Sequence, residues 1–259
     1  MDKTNGSGRP RIEILFQESY RKIIHTATAV FIIPLRWLGF WYAVGFSIAA
    51  FFWNLWAMPR WFSQSLRPRE KQKGYSRGML SYSLCVLLLA VLFPIPILAA
   101  GWAVLSLADG LAALTGGVLG KSRLPWNKNK TWIGSLVFLL AAILFGALAF
   151  VWARGLTPDH SLYSSPVSLK WIGFLWQKTQ GDSYSTVDMS IMLNETREYF
   201  MLYFAIAGIL SALIESLPIS KLDDNLSAPL AYSLALVALF LLLLPFILHH
   251  PFFAAQGPG

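Results

Sequence analysis

Apolar residues fall in long runs that are broken by short polar or basic stretches. Trp37–Ala57, Thr131–Ala153, Phe200–Leu217 and Ala228–Leu248 are nearly free of charge. Each is long enough, at about 1.5 Å per helical residue, to cross or nearly cross ~30 Å of hydrocarbon. Met79–Phe93 is shorter but continuous with Gly78 and Pro94, and Ile97–Gly120 is as long as the others with one carboxylate, Asp109. Ile23–Leu35 is too short by itself and is expected to span by recruiting Gln17–Lys22. The pattern predicts an all-α fold: a polytopic transmembrane helical bundle of about seven helices.

The interruptions give the organisation. Residues 1–13, with Gly6, Gly8 and Pro10, read as a disordered tail, and 251–259 as a C-terminal tail. Between them, 14–250 form a single membrane-embedded domain without a detectable repeat. The segment 58–78 is a basic loop, and 121–130 is a short loop marked by Pro125 and Asn127. The longest connection, 155–197, carries Trp171–Trp176 between Lys170 and Lys178, a composition suited to the headgroup zone. Asn194-Glu195-Thr196 matches the glycosylation pattern, a triplet too common to carry function. The first apolar stretch lacks the small-residue cleavage site of a signal peptide.

Composition agrees with the pattern. Hydrophobic residues make up 56% of the 259 and charged residues 13%, and the mean hydropathy is +0.53. A soluble domain carries about a quarter charged residues. The single Cys85 lies in an apolar run, which excludes disulfides and thiolate clusters and makes it a packing residue.

The net charge of +8 is unevenly placed. In a seven-helix arrangement one face receives Lys3, Arg9, Arg11, Arg21 and Lys22, then Arg60, Arg67, Arg69, Lys71, Lys73 and Arg77. Lys121, Arg123, Lys128, Lys130 and Lys221 join them. Of 21 lysines and arginines only Arg36, Arg154, Lys170, Lys178 and Arg197 fall on the other face. The positive-inside rule makes the basic face cytoplasmic, with the N-terminus inside, the C-terminus outside and 155–197 an outer-side loop. Because these cations border membrane spans, the partners they imply are lipid headgroups and phosphorylated substrates, not nucleic acid.

Ionisable groups inside membrane helices are costly and therefore candidates for function. Three stretches stand out on the basic face. Arg21-Lys22-Ile23-Ile24-His25 puts two cations at the mouth of the first helix with an imidazole one turn deeper. Anchoring explains the cations but not His25. Asp109, Ala112, Gly116 and Gly120 share one helical stripe. Small residues there allow close backbone approach, whereas a carboxylate at that depth needs a cation, a metal or a proton. Lys130-Thr131 opens the following helix, where free backbone N–H groups suit a phosphate. Finally, Glu215 ends the sixth apolar run, followed by Asp223, Asp224 and Asn225, oxygen ligands of the kind Mg²⁺ takes beside phosphate oxygens. Cations, helix-start N–H groups and acidic ligands at one face are the equipment of phosphoryl transfer.

These stretches resemble the CTP-dependent lipid kinase family of dolichol kinase, the CTP-using diacylglycerol kinase and phytol kinase, on its phytol and farnesol kinase side. The resemblance rests on Arg21-Lys22-x-x-His25, and on Asp109 through Gly120 with Pro125-Trp126-Asn127 and Lys130-Thr131-x-x-Gly134-Ser135. Glu215-Ser216-Leu217-Pro218 with Leu222-Asp223-Asp224-Asn225-Leu226-Ser227-Ala228-Pro229-Leu230 completes it. It covers about residues 15–245. Thr131 stands where serine is more usual, Ala228 where valine is, and 155–197 is longer than the family's usual connection.

The resemblance implies a membrane enzyme that moves the γ-phosphate of CTP, or of UTP, to an isoprenoid alcohol, with a divalent metal such as Mg²⁺. Asp109, Glu215 and Asp224 are the expected metal ligands and catalytic carboxylates, one of them an alternative base for the alcohol. Arg21, Lys22, His25, Gly116, Gly120, Lys130, Thr131 and Asn225 are the expected nucleotide and phosphate contacts. Dolichol, polyprenol or diacylglycerol kinases and a cytidylyltransferase remain alternatives. A transporter using Asp109 as its ion site fits less well, because the polar residues crowd one interface and no inverted half-repeat appears.

Overall fold

A computed structural model describes residues 20–62, 66, 68–154, 200–218 and 224–248. Every regular element among them is helical, apart from one isolated bridge between Arg123 and Thr131. Among the described residues the membrane bundle contains α1 (20–32), α2 (Leu35–Trp61), α4 (Arg77–Leu92), α5 (Ile95–Leu119), α6 (Trp132–Arg154), α7 (Phe200–Ser216) and α8 (Asp224–Leu248). The short α3 (Pro68–Lys73) lies between α2 and α4. The expected all-helical membrane bundle is therefore what the chain forms. The tails, the connection 155–197, Lys221 and Asp223 fall outside the described residues.

α5 is the central element. In its most apolar stretch 72% of residues are buried, against 44% in α6 and 17% in α2. Trp102, Leu98 and Val104 of α5 pack against α6 and α8 through Phe138, Phe150, Tyr232 and Phe240, all fully buried. Cys85 of α4 lies in the same core, as a packing residue should. Because lipid tails are as apolar as the side chains, helices here associate through close packing and hydrogen bonds. The Tyr232 hydroxyl donates to Ala142 O at 3.0 Å, and Ser211 Oγ to Ala228 O at 2.9 Å.

Helix boundaries differ from the apolar runs in three places. α1 covers only thirteen described residues, about 20 Å. It tightens into a 3₁₀ turn at Thr28–Ile32 and stops before Pro34, whose missing N–H cannot continue it. Trp152 Nε1 near the end of α6 donates to Ile33 O at 3.0 Å, tying the end of α1 to that level. Arg21 and Lys22, on the described part of α1, are partly buried and lie beside Glu70 and Asp109. α2 bends at Gly39, whose φ of 61° suits only glycine. α8 begins at Asp224 rather than Ala228, so the expected polar loop is in part its first turn.

Two helices carry π-helical turns, at Trp53–Ala57 in α2 and Val104–Ala108 in α5. The second ends immediately before Asp109.

Candidate active site

A cavity of about 690 Å³ opens between helices α1 to α7, the start of α8 and the loop 121–130. Along α5 its wall runs from Asp109 to Gly117, about 12 Å of helix, so its floor lies well inside the bundle. The three stretches singled out in the sequence, separate along the chain, meet here.

At the floor, Lys22 Nζ lies 2.6 Å from Asp109 Oδ2. His25 Nε2 stands 2.7 Å from the Leu105 carbonyl oxygen and 3.4 Å from Asp109 Oδ2. Tyr82 closes the back, its ring edge-on to His25 at 4.6 Å, and its hydroxyl held by Thr28 Oγ1 at 2.6 Å and Trp102 Nε1 at 2.7 Å.

Toward the loop, Lys130 forms an ion pair with buried Glu215. The loop is held on the end of α7, where Asn127 Nδ2 donates to Ser216 O at 3.2 Å and Trp126 Nε1 to Ser216 Oγ at 3.3 Å. Lys130 also lends its carbonyl to Leu124 N–H across the Arg123–Thr131 bridge. Across the cavity, Arg21 Nη1 is 3.8 Å from Glu70, which also accepts a hydrogen bond from buried Ser76. Asn225 Nδ2 donates to Gly78 O at 3.1 Å, joining the start of α8 to α4.

Five basic side chains, Arg21, Lys22, Arg77, Arg123 and Lys130, line the cavity against three carboxylates, Glu70, Asp109 and Glu215, a formal net charge of +2. A basic, partly enclosed space of this size suits a polyanion such as a nucleotide phosphate chain.

Of the expected site residues, Arg21, Lys22, His25, Asp109, Gly116, Lys130, Thr131, Glu215 and Asn225 all face this cavity. Gly120 does not. A Cβ on it would fall 2.2 Å from Gly116 O and 2.6 Å from Thr131 Cγ2, and one on Gly116 2.8 Å from Thr131 Oγ1. These glycines let α5 and α6 meet closely, with Gly134 opposite them. Thr131 caps α6, its Oγ1 accepting the Gly134 N–H at 3.1 Å. Asp224 is the first residue of α8, and its side chain lies outside the described residues. Among the described residues no three His, Cys, Asp or Glu converge as a ready-made metal site.

Sequence reasoning passed over Asn54, Glu70, Arg77, Tyr82, Arg123 and Asn129, which also line the cavity. Asn54 left a signal: it is an amide inside an apolar run, and its Nδ2 binds Met79 O at 3.1 Å and Ser83 Oγ at 2.9 Å. Arg77 and Arg123 were hidden among other loop cations.

A helical membrane bundle enclosing a basic cavity floored by a paired carboxylate is the class that the geometry defines. Comparison with known proteins names relatives. The chain is 30% identical over 157 residues to "Probable phytol kinase 3, chloroplastic" of Glycine max, covering 60% of this chain and 38% of that one. It is 26% identical over 180 residues to "Probable phytol kinase, chloroplastic" of Zea mays, with 68% and 48% covered. To "Phytol kinase 1, chloroplastic" of Arabidopsis thaliana it is 28% identical over 163 residues, with 61% and 42% covered. The match thus spans less than half the length of these relatives. No family model and no solved structure matches. The chain is thus similar to phytol kinases, in line with its resemblance to the CTP-dependent lipid kinases.

Proposed function

We propose that this protein is a membrane-embedded kinase that transfers the γ-phosphate of CTP, or of UTP, to an isoprenoid alcohol, with phytol the first candidate and phytyl phosphate the product. The observation that carries this reading is the single cavity in which Asp109 and Glu215, each paired with a lysine, share walls with three arginines. The names of the relatives support the acceptor class.

The reaction needs little covalent work from the protein. The alcohol oxygen bonds to the γ-phosphorus, the bond to the β-phosphate oxygen breaks, CDP leaves and the hydroxyl proton is released. Catalysis is then mostly positioning and charge neutralisation. The apolar helices around the floor receive the prenyl chain with its hydroxyl beside Asp109. The phosphates lie toward Arg77, Arg123 and Lys130, at the basic mouth on the cytoplasmic side. Two carboxylates and phosphate oxygens form the hard donor set that Mg²⁺ takes while keeping waters. Asp109 and Glu215 would hold it, and Asp224 adds a third carboxylate at the start of α8. When bound, the ion would neutralise charge on the transferring phosphoryl group.

The test uses purified protein in detergent with Mg²⁺, γ-labelled CTP, and phytol, farnesol, dolichol or diacylglycerol in turn. Label on phytol or farnesol is the expected result. Label only on dolichol or diacylglycerol would move the acceptor, a CDP-lipid would make the enzyme a cytidylyltransferase, and no lipid product with any nucleoside triphosphate would overturn the reading.

A further inference from the structure

The π-helical turn before Asp109 changes which backbone groups are bonded. The Asp109 N–H donates to Val104 O, five residues back, where an α-helix would direct it to Leu105 O. The Leu105 carbonyl thus loses the donor it would have in a regular helix, at a depth where an unsatisfied carbonyl is costly. His25 Nε2 lies 2.7 Å from that oxygen, so this nitrogen carries a proton and donates it. The ring cannot swing away easily. Tyr82 stands edge-on to it, and the Tyr82 hydroxyl is fixed by Thr28 and Trp102.

We infer that His25 is a positioning residue: it holds the π-turn open by donating to Leu105 O, and through that turn it aims the Asp109 carboxylate at the reacting hydroxyl. It does not bind nucleotide phosphate. The inference rests on the kinase reading for its catalytic consequence, but its structural half stands on the Val104–Asp109 turn alone. The chemistry that is needed is an N–H donor at the Nε2 position.

Three substitutions separate the roles. Glutamine places an amide N–H near the Nε2 position, asparagine places one near Nδ1, and alanine supplies none. His25→Gln is expected to keep kcat within about threefold of the native protein. His25→Asn and His25→Ala are expected to lose kcat by about 10²-fold, the scale of a misplacement near 1 Å, with KM for CTP within twofold. Hydrogen exchange of the 104–110 amides in detergent reads the turn without reference to activity. Exchange should rise for Ala and Asn and stay native-like for Gln.

His25→Gln as inactive as His25→Ala would overturn the inference, because the imidazole itself would then be required. A large rise in KM for CTP would return His25 to phosphate binding, and native kcat in all three variants would remove it from the site. His25→Gln failing to fold counts against the inference too, since the same donor should hold the same helix. Native protein that phosphorylates no prenol would overturn the kinase reading, while the exchange pattern still decides the positioning claim.

Discussion

Lys22 Nζ meets Asp109 Oδ2 at 2.6 Å across 87 residues of sequence, joining α1 to the deeply buried α5. Neither group would rest comfortably there alone. An ion pair in such surroundings is a weak source of net stability, but removing one partner strands the other.

This pair predicts a non-additive cycle. Lys22→Met is expected to destabilise the protein in detergent, by about 1.5–3 kcal/mol given that the side chain keeps some access to water. Asp109→Asn removes the charge while keeping shape, and should abolish transfer without unfolding the chain. The double variant should be more stable than Lys22→Met alone, because no uncompensated carboxylate remains. Thermal unfolding of the four proteins checks this, and simple additivity would show the pair to be uncoupled. Full activity in Asp109→Asn would leave the carboxylate a packing partner.

Lys130 faces Glu215 in a specific contact, whereas a membrane anchor needs only a cation somewhere at the interface. Lys130→Gln combined with Asn129→Lys preserves net charge and moves it by one residue. The swap is expected to insert normally and to lose about ten- to hundredfold in kcat/KM, the equivalent of one charge-assisted contact worth roughly 1.5–3 kcal/mol. Native kinetics would make Lys130 an anchor.

Arg77 and Arg123 are the cavity cations for which the structure shows no carboxylate partner among the described residues, and both are exposed at the mouth. Exposure weakens each contact, so Arg77→Ala and Arg123→Ala should raise KM for CTP by about 3- to 10-fold, lower kcat little and flatten the salt dependence of KM. Initial rates at varied CTP and ionic strength give the answer, and an unchanged KM would place the phosphates elsewhere.

Gly110 marks a close approach of α1 to α5. A Cβ there would lie 1.9 Å from Thr26 Oγ1 but 3.1 Å from Thr26 Cβ. Gly110→Ala is expected to destabilise by about 1–3 kcal/mol, as overpacking does. Adding Thr26→Ala removes the offending oxygen and should recover most of the loss. Recovery absent from the melting temperature of the double variant would mean that the helices separate rather than clash.

Sidedness can be read by labelling. In a Cys85→Ala background, cysteines replacing Lys128 and Ser165 should react from opposite sides of a sealed vesicle, with Lys128→Cys on the basic side. Reaction from the same side would reverse the assignment of 155–197 to the outer face.

The sequence by itself determined the class of fold, the order of the described helices, and which residues would gather at one end. Hydrophobic length and the exclusion of charge from lipid are properties of consecutive residues, so they can be read along one dimension. Asp109 and Glu215 stood out for the same reason, as charges where apolar residues were due. The partners of each carboxylate, the π-turn that frees Leu105 O for His25, and the packing duty of Gly120 and Thr131 were decided only in three dimensions. They depend on how far each helix slides and turns against its neighbours. In a bilayer that register is set by close contacts and single hydrogen bonds between distant residues, such as Thr26 against Gly110 and Trp152 with Ile33, rather than by an apolar pattern common to every helix.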